Sequence, residues 1–100
     1  MHVGKVEIYS DETNRAVLRH PGRSFPGILI QGDNLHSLCQ AADKVCAAGK
    51  DSLDPENYAE LNKLRNALWS YLTHYKIVLS EHDIPLPFSE QLLDARNSRI

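Results

Sequence analysis

Residues 27–49 read GILIQGDNLHSLCQAADKVCAAG, and the fold class turns on what happens at Gly32. Before it, Ile28 to Ile30 make a short run rich in β-branched residues, suited to a strand. After it, Leu35, Leu38, Cys39, Ala42, Val45 and Cys46 recur at the spacing of a helix. Asp33 or Asn34 can cap that helix, because either side chain accepts from the free amides of a first turn. Gly49 is placed to end it in a left-handed conformation. The period changes once, from strand to helix.

Upstream of this switch the chain reads as β. In residues 3–9, VGKVEIY, apolar Val6 and Ile8 alternate with Lys5 and Glu7, the period of a half-buried strand. The polar cluster SDETN, residues 10–14, suits a turn, and RAVLR, residues 15–19, is a second apolar run. Between the second and third runs lies HPGRSFPG, residues 20–27. Pro21 and Pro26 restrict φ there, and Gly22 and Gly27 permit positive φ. Three short strands with tight connections predict an antiparallel meander.

Downstream, Asp54 and Pro55 open a second helix as cap and first helical residue, with Glu56 favoured by the dipole. Tyr58, Leu61, Leu64, Leu68, Tyr71, Leu72, Tyr75, Val78 and Leu79 follow as one broad apolar stripe. Neither Gly nor Pro interrupts residues 56–84, and a helix to about His82 would run roughly 42 Å. IPLPF, residues 84–88, stops it. Ser89, Gln91 and Leu92 could start a short terminal helix. The expected fold is α+β: a three-stranded antiparallel sheet, then an antiparallel helix pair packed on one face. One domain spans 1–100: a β-rich part at 1–32, a helical hairpin at 33–83 and a Pro-containing tail at 84–100.

Averages narrow the function classes. The chain has 100 residues, 11 Lys and Arg against 13 Asp and Glu, and a net charge of −2. That near-neutral balance disfavours a dedicated nucleic-acid binder. Two cysteines do not make a disulfide scaffold. No run approaches the roughly 18 apolar residues of a membrane span, and the start lacks a signal-peptide pattern. These features fit a cytoplasmic setting.

Three features could carry chemistry. His36, Cys39, Asp43 and Cys46 fall within an arc of about 80° on the first helix. His36 and Cys46 are about 15 Å apart along its axis, so one metal cannot take all four, and no metal site or cofactor is expected. The plainer reading makes both cysteines small buried hydrophobes at one edge of a Leu35, Leu38, Ala42, Val45 face, with His36 and Asp43 beginning the wet side. His36 and Cys39 at i and i+3 could touch, but no third group is evident to orient a catalytic pair.

The second feature is the acid-free stretch from Arg15 to Gly32, which holds Arg15, Arg19, His20 and Arg23. Arg19, Arg23, Gln31, Gly32 and Asp33 are a candidate site for a small anion or phosphate-bearing ligand, enzymatic or not, using helix amides beside positive charge. The pattern is neither a Walker loop nor G-x-G-x-x-G. Pro and Gly also have a sufficient structural reason to be present, as a chain reversal.

The third feature is the long helix, whose stripe is wider than a surface helix needs. Arg65, Trp69 and Lys76 line one border, and Arg65 with Trp69 could make a cation–π contact. Together with Tyr71 and Tyr75 they form a candidate partner interface. The first helix is too short to cover the stripe, which leaves the sheet, the tail or a second copy to do so. The leading functional reading is therefore a non-catalytic module that binds a protein partner or a second copy of itself.

The segment EIYSDETNRAVLRHPGRSFPGILIQGDNLHSL, residues 7–38, carries a resemblance. Pro21, Gly22, Arg23, Phe25, Pro26, Gly27, Gln31, Gly32 and Asp33 resemble the P-G-R-x-F-P-G and Q-G-D motif of a bacterial family of short proteins of unknown function. The resemblance is close over about a third of the chain. It implies a stand-alone cytoplasmic bacterial protein, carries no known activity, and so transfers no catalytic residue. Partner binding or toxin neutralisation are roles open to such small acidic proteins.

Overall fold

The computed structural model describes residues 1–89. The order is β1 (Glu7–Ser10), β2 (Ala16–Arg19), β3 (Gly27–Leu29), α1 (Gly32–Gly49) and α2 (Pro55–Glu81). The three strands form one antiparallel sheet in the order β1-β2-β3. The α+β reading therefore holds.

Local chemistry explains the joints. Between β1 and β2, Arg15 N–H donates to the Glu12 carbonyl at 3.1 Å, and Asn14 takes φ 64°, a conformation asparagine tolerates. After β2, Arg23 N–H donates to the His20 carbonyl at 3.1 Å across Pro21 and Gly22. Gly22 has φ 85°, so Pro and Gly occupy the two central positions of a type II turn. Gly27 does not take positive φ; it opens β3 instead.

The start of α1 differs from expectation. Gln31, not Asp33 or Asn34, is the N-cap, and its side chain makes no capping bond. Leu35 N–H already reaches the Gln31 carbonyl at 2.9 Å, so the helix begins earlier. Asp33 then lies in the first turn and accepts from Asn34 N–H at 2.8 Å. At the other end Gly49 is not left-handed, and the C-cap Lys50 keeps right-handed angles. Gly49 is small because Leu53 and Leu61 close over it; an added Cβ would lie 3.0 Å from Leu53.

α2 follows its signals. Asp54 Oδ1 accepts from Asn57 N–H at 2.8 Å, with Pro55 opening the helix. It ends in a Schellman motif: Asp83 has φ 56°, and Ile84 N–H donates to the Leu79 carbonyl at 2.9 Å.

The two helices pack on each other around Leu35, Cys39 and Leu72, with Leu68, Trp69, Tyr75 and Phe88 against that cluster. This rotates α1 from the expected face. Gly32, Cys39, Cys46 and Gly49 are buried, and Leu38 and Val45 lie outside. The cysteines are central, not marginal, and His36 is buried, not wet. Small residues on α1 let α2 approach closely, and α2 brings the bulk with Leu68, Leu72 and Tyr75.

Of the covers left open for the α2 stripe, the tail supplies part, with Phe88 against that cluster, while Leu64 and Tyr71 stay exposed. The remaining expectation, helices lying on a face of the sheet, is not met. Among the described elements, contacts run within the sheet and between the helices, and no strand touches a helix. The proposed terminal helix falls on 90–100, outside the described residues.

Candidate functional site

Strand pairing places Glu7 opposite Arg19. Arg19 donates through Nε and pairs through Nη2 to Glu7 Oε1, which also accepts from the Tyr9 hydroxyl at 3.1 Å. The Arg19 hydrogen bond, followed by that from Tyr9, holds the Glu7 carboxyl below the usual carboxylate value. Around this pair runs a cleft of about 290 Å³ formed by Lys5, Glu7, Arg19, His20, Arg23 and the Pro21–Gly22 turn. Among the described residues, Lys5 and Arg23 have no carboxylate partner. A second cleft of about 290 Å³, lined by Leu18, Phe25, Ile28 and Leu29, shares His20 and Arg23 with the first.

The five residues read as a ligand site are thus divided. Arg19 and Arg23 border the cleft. Gln31, Gly32 and Asp33 line neither cleft, because the Tyr75 ring covers buried Gly32 and Asp33 bonds Asn34. Lys5 and Glu7 also line the first cleft, though the sequence reads them only as the polar half of a strand and not as site residues. The signal that could have found them is hairpin register, which sets Glu7 across from Arg19.

The residues read as a partner interface are mostly engaged within the chain. Asp43 Oδ1 accepts from Arg65 Nε at 2.6 Å and from Trp69 Nε1 at 2.9 Å. Arg65 and Trp69 therefore turn to Asp43 on α1. Tyr75 lies on Gly32, and Lys76 is half-buried. Tyr71 is exposed.

The Asp43–Trp69 contact also fixes which helix edges meet. Leu38 and Val45 stand about 140° and 160° round α1 from Asp43, and Leu64 and Tyr71 stand the same angles round α2 from Trp69. In an antiparallel pair this puts all four on the opposite side, away from Asp43 and Trp69. They are 41%, 53%, 58% and 65% exposed, an apolar patch spanning both helices.

The sheet has a comparable surface. Directly paired residues share a face, so Ile8, Leu18, Ala16 and Leu29 lie together. Ile8 and Leu29 are exposed there. Glu7, Arg19, Val17 and Ile28 share the other face.

The helix row of potential ligands is closed off. His36 is buried and stacks on Phe88 with ring centroids 4.0 Å apart and planes 6° from parallel. Cys39 is fully buried, and burial pushes its thiol pKa up, the reverse of what a nucleophile needs. Cys46 Sγ lies 3.8 Å from the Leu61 carbonyl. Among the described residues no group of three or more His, Cys, Asp or Glu could hold a metal ion, and no helix is long and apolar enough to cross a membrane.

A family model covers residues 1–88, from the strands through both helices to Phe88. The chain belongs to DUF6959, a family of unknown function. The DUF6959 match takes in far more of the chain than the Pro-Gly stretch, but it assigns no role to any residue. No curated protein and no solved structure matches this DUF6959 member.

Proposed function

We propose that this DUF6959 chain is a non-catalytic protein-binding module whose binding element is its β-sheet and whose partner is a second copy of itself. One observation carries the reading: Ile8 and Leu29 stand exposed on one apolar face of the sheet, and neither α1 nor α2 lies against it among the described residues. A small sheet needs an apolar face packed on something to be stable. Sedimentation velocity from 1 to 100 µM tests this. The expected result is a concentration-dependent association that Ile8→Asp abolishes. A strict monomer throughout would overturn it.

The cleft at Lys5, Arg19, His20 and Arg23 favours a second reading, binding of a small carboxylate or phosphate ligand. Its support is the pair of cations, Lys5 and Arg23, left unmatched beside one ion pair. Thermal-shift screening against inorganic phosphate, nucleotides and phosphosugars should show stabilisation that Arg23→Ala removes. No shift with any of them counts against this reading.

A further inference from the structure

We propose that the apolar sheet face of one copy packs on the Leu38, Val45, Leu64 and Tyr71 side of a second copy, reciprocally, in a two-fold dimer. This rests on the self-association reading and adds which surface meets which. The single chain holds both halves of an α+β layer and leaves them apart. Its sheet presents Ile8, Leu18 and Leu29 on one face, and its helix pair presents a four-residue apolar patch on the side away from Phe88. A sheet face and a helix stripe are natural covers for each other. Here the chain passes from β3 to α1 through only Ile30 and Gln31, and the strands stay clear of the helices.

Charge selects the pairing. Arg23 borders the cleft that Leu18 and Leu29 of the apolar sheet face line together with Ile28 of the other face. Residues 1–32 carry four Lys and Arg against three Asp and Glu, and residues 33–83 carry five against eight. Glu60 sits one helical turn before Leu64 and is exposed on that side of α2. Sheet on sheet would set two net-positive β-rich parts together, and helix on helix two net-negative helix pairs. Sheet on helix sets opposite signs across the contact, which favours that partner over the other two. Reciprocal exchange uses each surface of each copy once and closes; a one-way contact would leave a sheet and a helix patch open at the ends and grow a filament.

Sedimentation equilibrium on the full chain tests the arrangement with Ile8→Asp, Tyr71→Asp and their equimolar mixture. Both positions are exposed, and circular dichroism verifies that each variant keeps its helices. Leu29→Asp and Leu64→Asp form a second pair should either of the first fail to fold. The natural chain should sediment at twice its 11.3 kDa mass. Each variant alone should bind itself at least tenfold more weakly. The mixture should recover a heterodimer, because the intact sheet of the Tyr71→Asp chain meets the intact helix side of the Ile8→Asp chain. If Ile8→Asp abolishes the dimer but Tyr71→Asp does not, or if the mixture stays monomeric, this arrangement is overturned while sheet-mediated self-association stands. If the natural chain is a monomer, both are overturned, and the sheet is covered within its own chain or by another protein.

Discussion

Trp69 Nε1 donates to Asp43 Oδ1 at 2.9 Å, and the same oxygen accepts from Arg65 Nε at 2.6 Å. One carboxylate oxygen on α1 thereby holds two donors one turn apart on α2, and sets the rotation of each helix about its axis. Truncation would leave the indole N–H and the guanidinium without their acceptor. The Asp43 and Arg65 side chains are 37% and 38% exposed, so water screens part of the loss. Asp43→Ala should cost about 1–2 kcal/mol in urea unfolding. Asp43→Asn, which keeps a carbonyl acceptor, should cost less. Equal losses in the two variants would show that shape rather than hydrogen bonding matters at this position.

The strength of this junction also shows where sequence reading stops. Strand order, the extent of α2 and its cap of Asp54 with Pro55 follow from local sequence signals, and the structure bears them out. The rotation of α1 does not, because it depends on which residues let α2 come close. Hydropathy favours Leu38 and Val45 for the interior, whereas close packing favours Gly32, Cys39 and Cys46. The site divides for a similar reason. Arg19 and Gly32 lie close in sequence, yet strand register ties Arg19 to Glu7 and helix packing ties Gly32 to Tyr75.

Gly32 should not tolerate alanine. Within a helix Gly→Ala is ordinarily stabilising, by up to about 1 kcal/mol in the interior and by less at a first residue such as Gly32. Here the new Cβ would overlap the Tyr75 ring, so the ring must leave. Gly32→Ala should instead destabilise by about 1–3 kcal/mol, as overpacking does. In a Tyr75→Leu background, with the ring gone, the same change should be neutral or stabilising. A double-mutant cycle by chemical denaturation measures the difference, and a cost that persists without the ring argues against this contact.

The Phe88 stack on His36 is a lid over one end of the helix pair, since Phe88 also packs against the Leu35, Cys39 and Leu72 cluster. Phe88→Ala should lower stability by about 1–3 kcal/mol, less than for a fully buried ring because Phe88 is half-buried. It should also speed the reaction of Cys39 with a thiol reagent, since the lid keeps water from that side. Cys46, at the other end of the hairpin, should react at an unchanged rate. Mass spectrometry of the labelled peptides separates the two, and an equal rise at both sites would mean general loosening of the pair.

The Glu7–Arg19 pair predicts a particular direction of pH dependence. Its folded carboxyl pKa lies below the usual 4.5, through the Arg19 hydrogen bond first and the Tyr9 hydroxyl second. A carboxyl depressed on folding adds stability that is fully present above its unfolded pKa and fades as pH falls through the lower folded value. The sheet should therefore lose this contribution only below about pH 4.5, and the loss should finish beneath that value. A carbon-13 titration of the Glu7 carboxyl should place its midpoint below 4.5, and Arg19→Gln should raise it. Because Glu7 lines the same cleft as Lys5 and Arg23, a bound anion should shift this midpoint as well. Repulsion from the anion would raise it, so the titration repeated in phosphate also tests ligand binding at the cleft. A midpoint indifferent to Arg19 would mean that the pair does not persist in solution.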